Sequence, residues 1–172
     1  MNNELILVDC LDNIVGYADK STAHQVPLLH RAFSIFIVDK NKMLIQQRST
    51  SKYHSGGLWA NACCSHPRRN EDLCAATQRR LYEELGIGCD LTEIGNFVYF
   101  SSYQENLCEY EYDHLFLGEY SGKVSPNSNE IECIKWVDIE QLEQAMLENP
   151  KQFATWFLIA CPMVIKRLYG HQ

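Results

Sequence analysis

The chain has 172 residues, of which 46% are hydrophobic, and carries a net charge of -7 at neutral pH. That length fills one core of ordinary size, so a single domain over residues 1–172 is expected. The acidic surplus argues against nucleic acid or anionic lipid as a partner, and a phosphorylated ligand would have to be neutralised locally by Lys, Arg or metal. No stretch approaches the run of about 20 apolar residues that a spanning helix needs. The first residues are polar (Asn2, Asn3, Glu4) rather than basic, unlike a signal peptide. Eight cysteines, at positions 10, 63, 64, 74, 89, 108, 133 and 161, include no Cys-x-x-Cys pair, which points to reduced thiols in the cytoplasm and away from a zinc finger.

In chain order, Leu5-Ile6-Leu7-Val8 reads as a strand followed by a turn at Asp12-Asn13. Residues 32–38 and 43–47 predict a hairpin closed by Asp39-Lys40-Asn41-Lys42. Asn70 is the expected N-cap of a helix whose first turn holds Glu71 and Asp72, and which runs to Leu85 before Gly86 stops it. Residues 97–100, 109–117 and 132–137 read as later strands. Asp138 caps a helix to about Leu147, and residues 153–168 form the last one, kinked at Pro162. Strands interleaved with helices imply an α/β (α+β) domain, a mixed sheet covered on both faces.

The helix after Asn70 carries an unusual inner stripe. Leu73, Thr77, Arg80, Leu81 and Glu84 fall at i, i+4, i+7, i+8 and i+11, so an Arg and a Glu share a face with leucines. For one such pair alone, a partly buried ion pair without catalytic meaning is the plainer reading. From Ser65 through Glu71, Arg79, Leu81, Glu83, Glu84, Gly86 and Ile87, however, the segment resembles the Nudix box, whose clustered glutamates bind metal and diphosphate. That resemblance implies a Nudix-like mixed sheet between helices. It departs at Ser65, where the box has Gly, and at Arg80, where it has a metal-binding Glu. A guanidinium there suits holding a diphosphate rather than cleaving it.

Trp59-Ala60-Asn61-Ala62-Cys63-Cys64-Ser65-His66-Pro67 leads into that helix. Its spacing to Glu84, with His30-Arg31-Ala32-Phe33 and Glu109-Tyr110-Glu111, is similar to the type I isopentenyl-diphosphate isomerases over nearly the whole chain. The resemblance implies a first metal held by His24, His30, His66, Glu109 and Glu111. Independently, Glu109 and Glu111 are two apart on a predicted strand and project from one face toward one cation. A nitrogen and oxygen set of this kind suits Mn²⁺, Zn²⁺ or Mg²⁺. His54, His114 and His171 are read as structural, with His114 on the strand face opposite Glu109 and Glu111.

The reaction implied is reversible isomerisation of isopentenyl to dimethylallyl diphosphate, which needs one group to add a proton to an alkene and another to remove one. The resemblance assigns these roles to Cys64 and Glu111, exchangeable between directions. Tyr99 would hydrogen-bond the glutamate or relay its proton, and is otherwise an ordinary strand aromatic. Trp156 offers an indole face to a carbocation, although a core helix would carry such a residue too. The family match supplies Lys20, Arg48, Lys52 and Arg80 for the diphosphate, and a second cation, Mg²⁺, bridging the diphosphate, Glu84 and the Cys64 carbonyl. Glu83 is then a neighbour that either supports these groups from behind or faces solvent. The expected partner is a small allylic or homoallylic diphosphate, and the chain a monomer or homodimer. A Nudix-type diphosphate hydrolase is the alternative, and leaves Cys64, Glu109 and Glu111 unexplained. A catalytically inactive scaffold would have lost one or more of these positions. A flavin-dependent isomerase would need a barrel-sized chain.

Overall fold

The computed structural model describes residues 4–52, 54–104 and 107–170. Its centre is β3 (His30–Asp39), buried almost throughout because both of its faces are apolar. One edge of β3 pairs in parallel with β8 (Leu107–Glu119) from His30↔Glu111 to Val38↔Glu119. The other edge is shared in turn by three antiparallel strands: β1 (Glu4–Val8), β6 (Cys63–Ser65) and β4 (Lys42–Arg48). β2 (Ile14–Asp19) lies outside β1, β5 (Trp59–Asn61) and β9 (Ile131–Asp138) flank β4, and β7 (Leu91–Gln104) flanks β8. The sheet is therefore mixed, as expected.

Alternation along β3 divides the core in two. Phe33, Ile35 and Ile37 pack with Leu81 and Leu85 of α2 (Leu73–Leu85). Phe36 and Val38 face the other way, toward Leu142 of α3 (Ile139–Glu148) and Phe157 and Val164 of α4 (Thr155–Tyr169). Helices thus cover both faces, and the hairpin, the two strands over 109–117 and 132–137 and the Asp138 cap stand where the sequence placed them, while the strand expected over 97–100 extends across Leu91–Gln104.

Three strands and one α-helix escaped the sequence reading: β2, β5, β6 and the short α1 (Lys20–Gln25) capped by Asp19. The N-cap of α2 is corrected from Asn70 to Asp72, whose side chain accepts from Ala75 N at 3.1 Å. Asn70 instead takes a left-handed conformation, with φ of 63°, in the preceding turn. Gly86 ends α2 at φ of 66°, the left-handed stop that glycine adopts most readily. The last helix begins at Thr155, after a 3₁₀ turn at Pro150–Gln152, and Pro162 lies inside it.

Candidate active site

The site forms where the two edges of β3 meet α1 and α2. On β8, alternation turns Glu109 and Glu111 to the same buried face, and Tyr99 lies directly across from Glu111 on β7. His30 stands beside Glu111 in the β3–β8 register. On the opposite edge, β6 places Cys64 across from Ser34 and delivers His66 just beyond. The α1 helix contributes Lys20 and His24. These residues, except the buried His24 and His30, line one cavity of about 280 Å³.

The three predicted histidines converge. Ring centroids of His24 and His30 are 5.1 Å apart, of His30 and His66 5.0 Å, and of His24 and His66 5.9 Å. Nitrogen and oxygen donors of His24, His30, His66 and Glu111 all lie within 4.8 Å of one another. Nδ1 of His24 and of His30 is bonded to a backbone carbonyl, at 2.7 Å to Lys20 and 2.8 Å to Leu28, so Nε2 is the nitrogen each presents to the cluster. His30 Nε2 is buried with no hydrogen-bond partner, which suits it to serve as a ligand atom. Burial pushes the His66 imidazole down to about 4 and lowers His24 as well, leaving both neutral and able to coordinate. The donor set fits a divalent cation.

Glu109 does not group with those four. Its carboxylate joins His24 and His54, again within 4.8 Å. This corrects the reading of His54 as merely structural: it is 7% exposed, lines the cavity, and stands 2.9 Å from Glu109 Oε1 through Nε2. His54 sits in an irregular loop, where no periodicity assigns a facing. His114 does point away, bonded to Asp12 and Glu93 on the other side of the sheet. His171 lies outside the described residues.

Tyr99 hydroxyl reaches both carboxylates, at 2.9 Å to Glu109 and 2.6 Å to Glu111. Burial, with the two anions beside it, raises its pKa well above the usual phenol value, so it remains a donor. Burial works against the Glu111 anion, but the imidazoles beside it, His66 at 2.8 Å and His30 at 3.6 Å, hold its carboxyl well below the usual range. Asp113, two residues on, shares this face and accepts from Ser34 Oγ at 2.8 Å. Continuing the alternation by one step would have found it.

Cys64 opens onto the cavity with its Sγ 3.7 Å from Arg48 Nη1, while Cys63 is fully buried in the core against α2. Burial pushes the Cys64 thiol up to about 12, with Arg48 opposing. Trp156, from α4, also lines the cavity. Its indole N–H donates to Asn61 Oδ1 at 3.0 Å, and the Arg48 guanidinium lies 5.1 Å from its ring centroid. Asn61 in turn donates to the Ile35 and Cys63 carbonyls, tying α4 to the strand that carries Cys64.

Lys20, Arg48, Lys52 and Arg80 gather at the same cavity. Arg80 pairs with Glu83 at 2.8 Å and with Glu84, and Lys52 pairs with Glu130. Glu130, also 3.8 Å from Arg80, was not singled out in the sequence, since it lies in a loop far from its partners. Glu84 is buried, which raises its pKa against the pull of Arg80, and Glu83 is exposed as expected.

This arrangement of mixed sheet, flanking helices and a charged helix stripe at one cavity defines a NUDIX-fold protein, and the NUDIX domain family matches residues 28–157. A crystal structure from Deinococcus radiodurans superposes with a TM-score of 0.68 at 20% identity, covering 85% of this chain and 90% of that one, which shows the fold. Two curated relatives carry the resemblance further. The isopentenyl-diphosphate Delta-isomerase of Serratia proteamaculans is 46% identical over 92% of this chain and 89% of its own length. An isopentenyl-diphosphate Delta-isomerase 2 of Aromatoleum aromaticum is 45% identical over 94% of this chain and 85% of its own. The chain belongs to the isopentenyl-diphosphate Delta-isomerase family within the NUDIX fold.

Proposed function

We propose that the chain, acting as one domain, interconverts isopentenyl and dimethylallyl diphosphate by proton addition and removal. The observation that carries this reading is the pairing of a protonated thiol, Cys64, with an anionic carboxylate, Glu111, in one cavity but from opposite edges of β3. One group bears a proton at neutral pH and the other can take one, which is what moving a double bond requires. A hydrolase needs neither of them.

In this reading Cys64 delivers a proton to one end of the alkene and Glu111 removes one from the neighbouring carbon, with the roles exchanged in reverse. Tyr99, bonded to Glu111, holds that carboxylate in place and offers a path for its proton. The tertiary cation formed between these steps faces the Trp156 indole, which stabilises it by about 2 kcal/mol or more in a dry pocket. Lys20, Arg48, Lys52 and Arg80 bind the diphosphate, with Lys52 and Arg80 exchanging the carboxylates they now contact for phosphate oxygens. Glu84 and the Cys64 carbonyl are our candidates for a substrate-borne Mg²⁺. His24, His30, His66 and Glu111, with Glu109 adjacent, would hold a Mn²⁺, Zn²⁺ or Mg²⁺ ion, which supplies a fixed positive charge that keeps the glutamates ionised and ordered. Unpaired cysteines at all eight positions support a place in the reducing cytoplasm.

The test is proton NMR of isopentenyl diphosphate incubated in D₂O with the purified protein and Mg²⁺, with and without prior chelation. Deuterated dimethylallyl diphosphate that disappears on chelation is expected. Release of inorganic phosphate would return the chain to hydrolase chemistry.

A further inference from the structure

His54 takes no part in the reaction outlined above, yet it is built into the site on every side. Its Nε2 is 2.9 Å from Glu109 Oε1, its ring stacks on Tyr103 with centroids 4.8 Å apart, and the edge of its ring system meets Trp156 at 6.2 Å. Nδ1 faces the Ser55 hydroxyl at 3.3 Å. Glu109 already accepts hydrogen bonds on its other oxygen, from Tyr99 at 2.9 Å and Tyr103 at 2.8 Å. A carboxylate only accepts, so the hydrogen between the two groups belongs to Nε2. His54 is then the donor to Glu109 Oε1.

We propose that His54 is a positioning residue for Glu109, holding Oε1 on the His24 side of the metal cluster. The two tyrosines constrain only Oε2 and would let the carboxylate turn about its own axis. The His54 hydrogen bond removes that freedom, in a carboxylate with an oxygen within 4.8 Å of donor atoms of His24 and His54. The imidazole is itself braced by Tyr103 and by the edge contact with Trp156. A residue that orients a metal ligand in this way alters affinity for the ion by about 10–100-fold when lost. The inference rests on the metal centre described under the proposed function.

Chelator-stripped protein titrated with Zn²⁺ against a chromophoric chelator tests it. The wild type takes up one tight equivalent. His54→Phe, which keeps the ring stacking and loses the donor, binds Zn²⁺ about 10–100-fold more weakly. His54→Gln, whose amide can donate to the same oxygen, regains most of that loss. Reloaded with metal, His54→Phe shows lower kcat with KM for isopentenyl diphosphate unchanged. Undiminished Zn²⁺ affinity in His54→Phe overturns the proposal, and so does an equal loss in His54→Phe and His54→Gln. Should His54→Phe not fold, the Gln variant decides alone: affinity near that of the wild type supports the role, and a loss of about tenfold or more overturns it. A wild type that takes up no Zn²⁺ overturns the metal centre itself.

Discussion

Two adjacent cysteines on β6 have opposite environments. Cys64 faces the cavity and Cys63 the core against α2, because successive strand residues point to opposite faces. In the proposed mechanism Cys64→Ala removes the proton that the alkene would receive, and Glu111→Gln removes its acceptor. Each should lower turnover by about 10²–10⁴-fold or more in the NMR assay, with the circular dichroism spectrum unchanged. Cys63→Ala should retain most activity and instead lose some folding stability, since it empties space in a packed core. Trp156 has two duties, facing the cavity and donating to Asn61. Trp156→Phe keeps an aromatic face but a weaker one, and kcat should fall about tenfold, equivalent to about 1.4 kcal/mol, with KM little changed.

The α2 helix bears both the site and its own supports. Its start is set by Asp72 rather than Asn70, so Asp72→Ala should cost about 1 kcal/mol in urea unfolding, whereas Asn70→Gly, which suits the left-handed backbone there, should cost far less. Glu71 receives Arg79 through Nε at 2.6 Å and Nη2 at 2.8 Å, and the Arg68 amide at 2.8 Å. The Arg79 bonds hold the Glu71 carboxyl below its ordinary value, with burial opposing. A carboxyl lowered in the folded state adds stability above its unfolded pKa of about 4.3, and that stability is lost as pH falls through the folded value. Between pH 7 and pH 3, wild-type stability should therefore decline more steeply than that of Glu71→Gln, which is already weaker at pH 7 by about 1 kcal/mol. Much of this helix was legible from its stripe and its Gly stop. The cap was not, since Asn70, Glu71 and Asp72 all suit the region and only the turn conformation separates them.

Across the molecule, the His and Glu cluster joins α1, β3, β8 and the segment after β6, elements far apart in the chain. A cation held there binds the folded state alone, so metal at about 100 times its Kd should add about 2.7 kcal/mol. Differential scanning calorimetry should record this as a rise in Tm of about 5–10 °C. His66→Ala should abolish most of that rise, and chelation should reverse it in the wild type. Among the described residues no helix is long and apolar enough to cross a membrane, in keeping with the expectation from the sequence.

Periodicity and short spacing made much of this protein legible. The i, i+2 placement of Glu109 and Glu111, the Arg80 and Glu84 stripe, and the Cys64 to His66 spacing are local geometry, which a strand or helix imposes wherever it sits. Elements without such a signature were missed: β2 has no buried face and is held by pairing with β1, α1 spans six residues, and β5 and β6 three each. What only the tertiary structure decided was convergence. The contact of His54 with Glu109, of Glu130 with Lys52 and Arg80, and of Trp156 with Asn61, 95 residues away, depends on how the two edges of β3 are filled. Loop residues have no fixed facing in sequence, and their partners are chosen by packing.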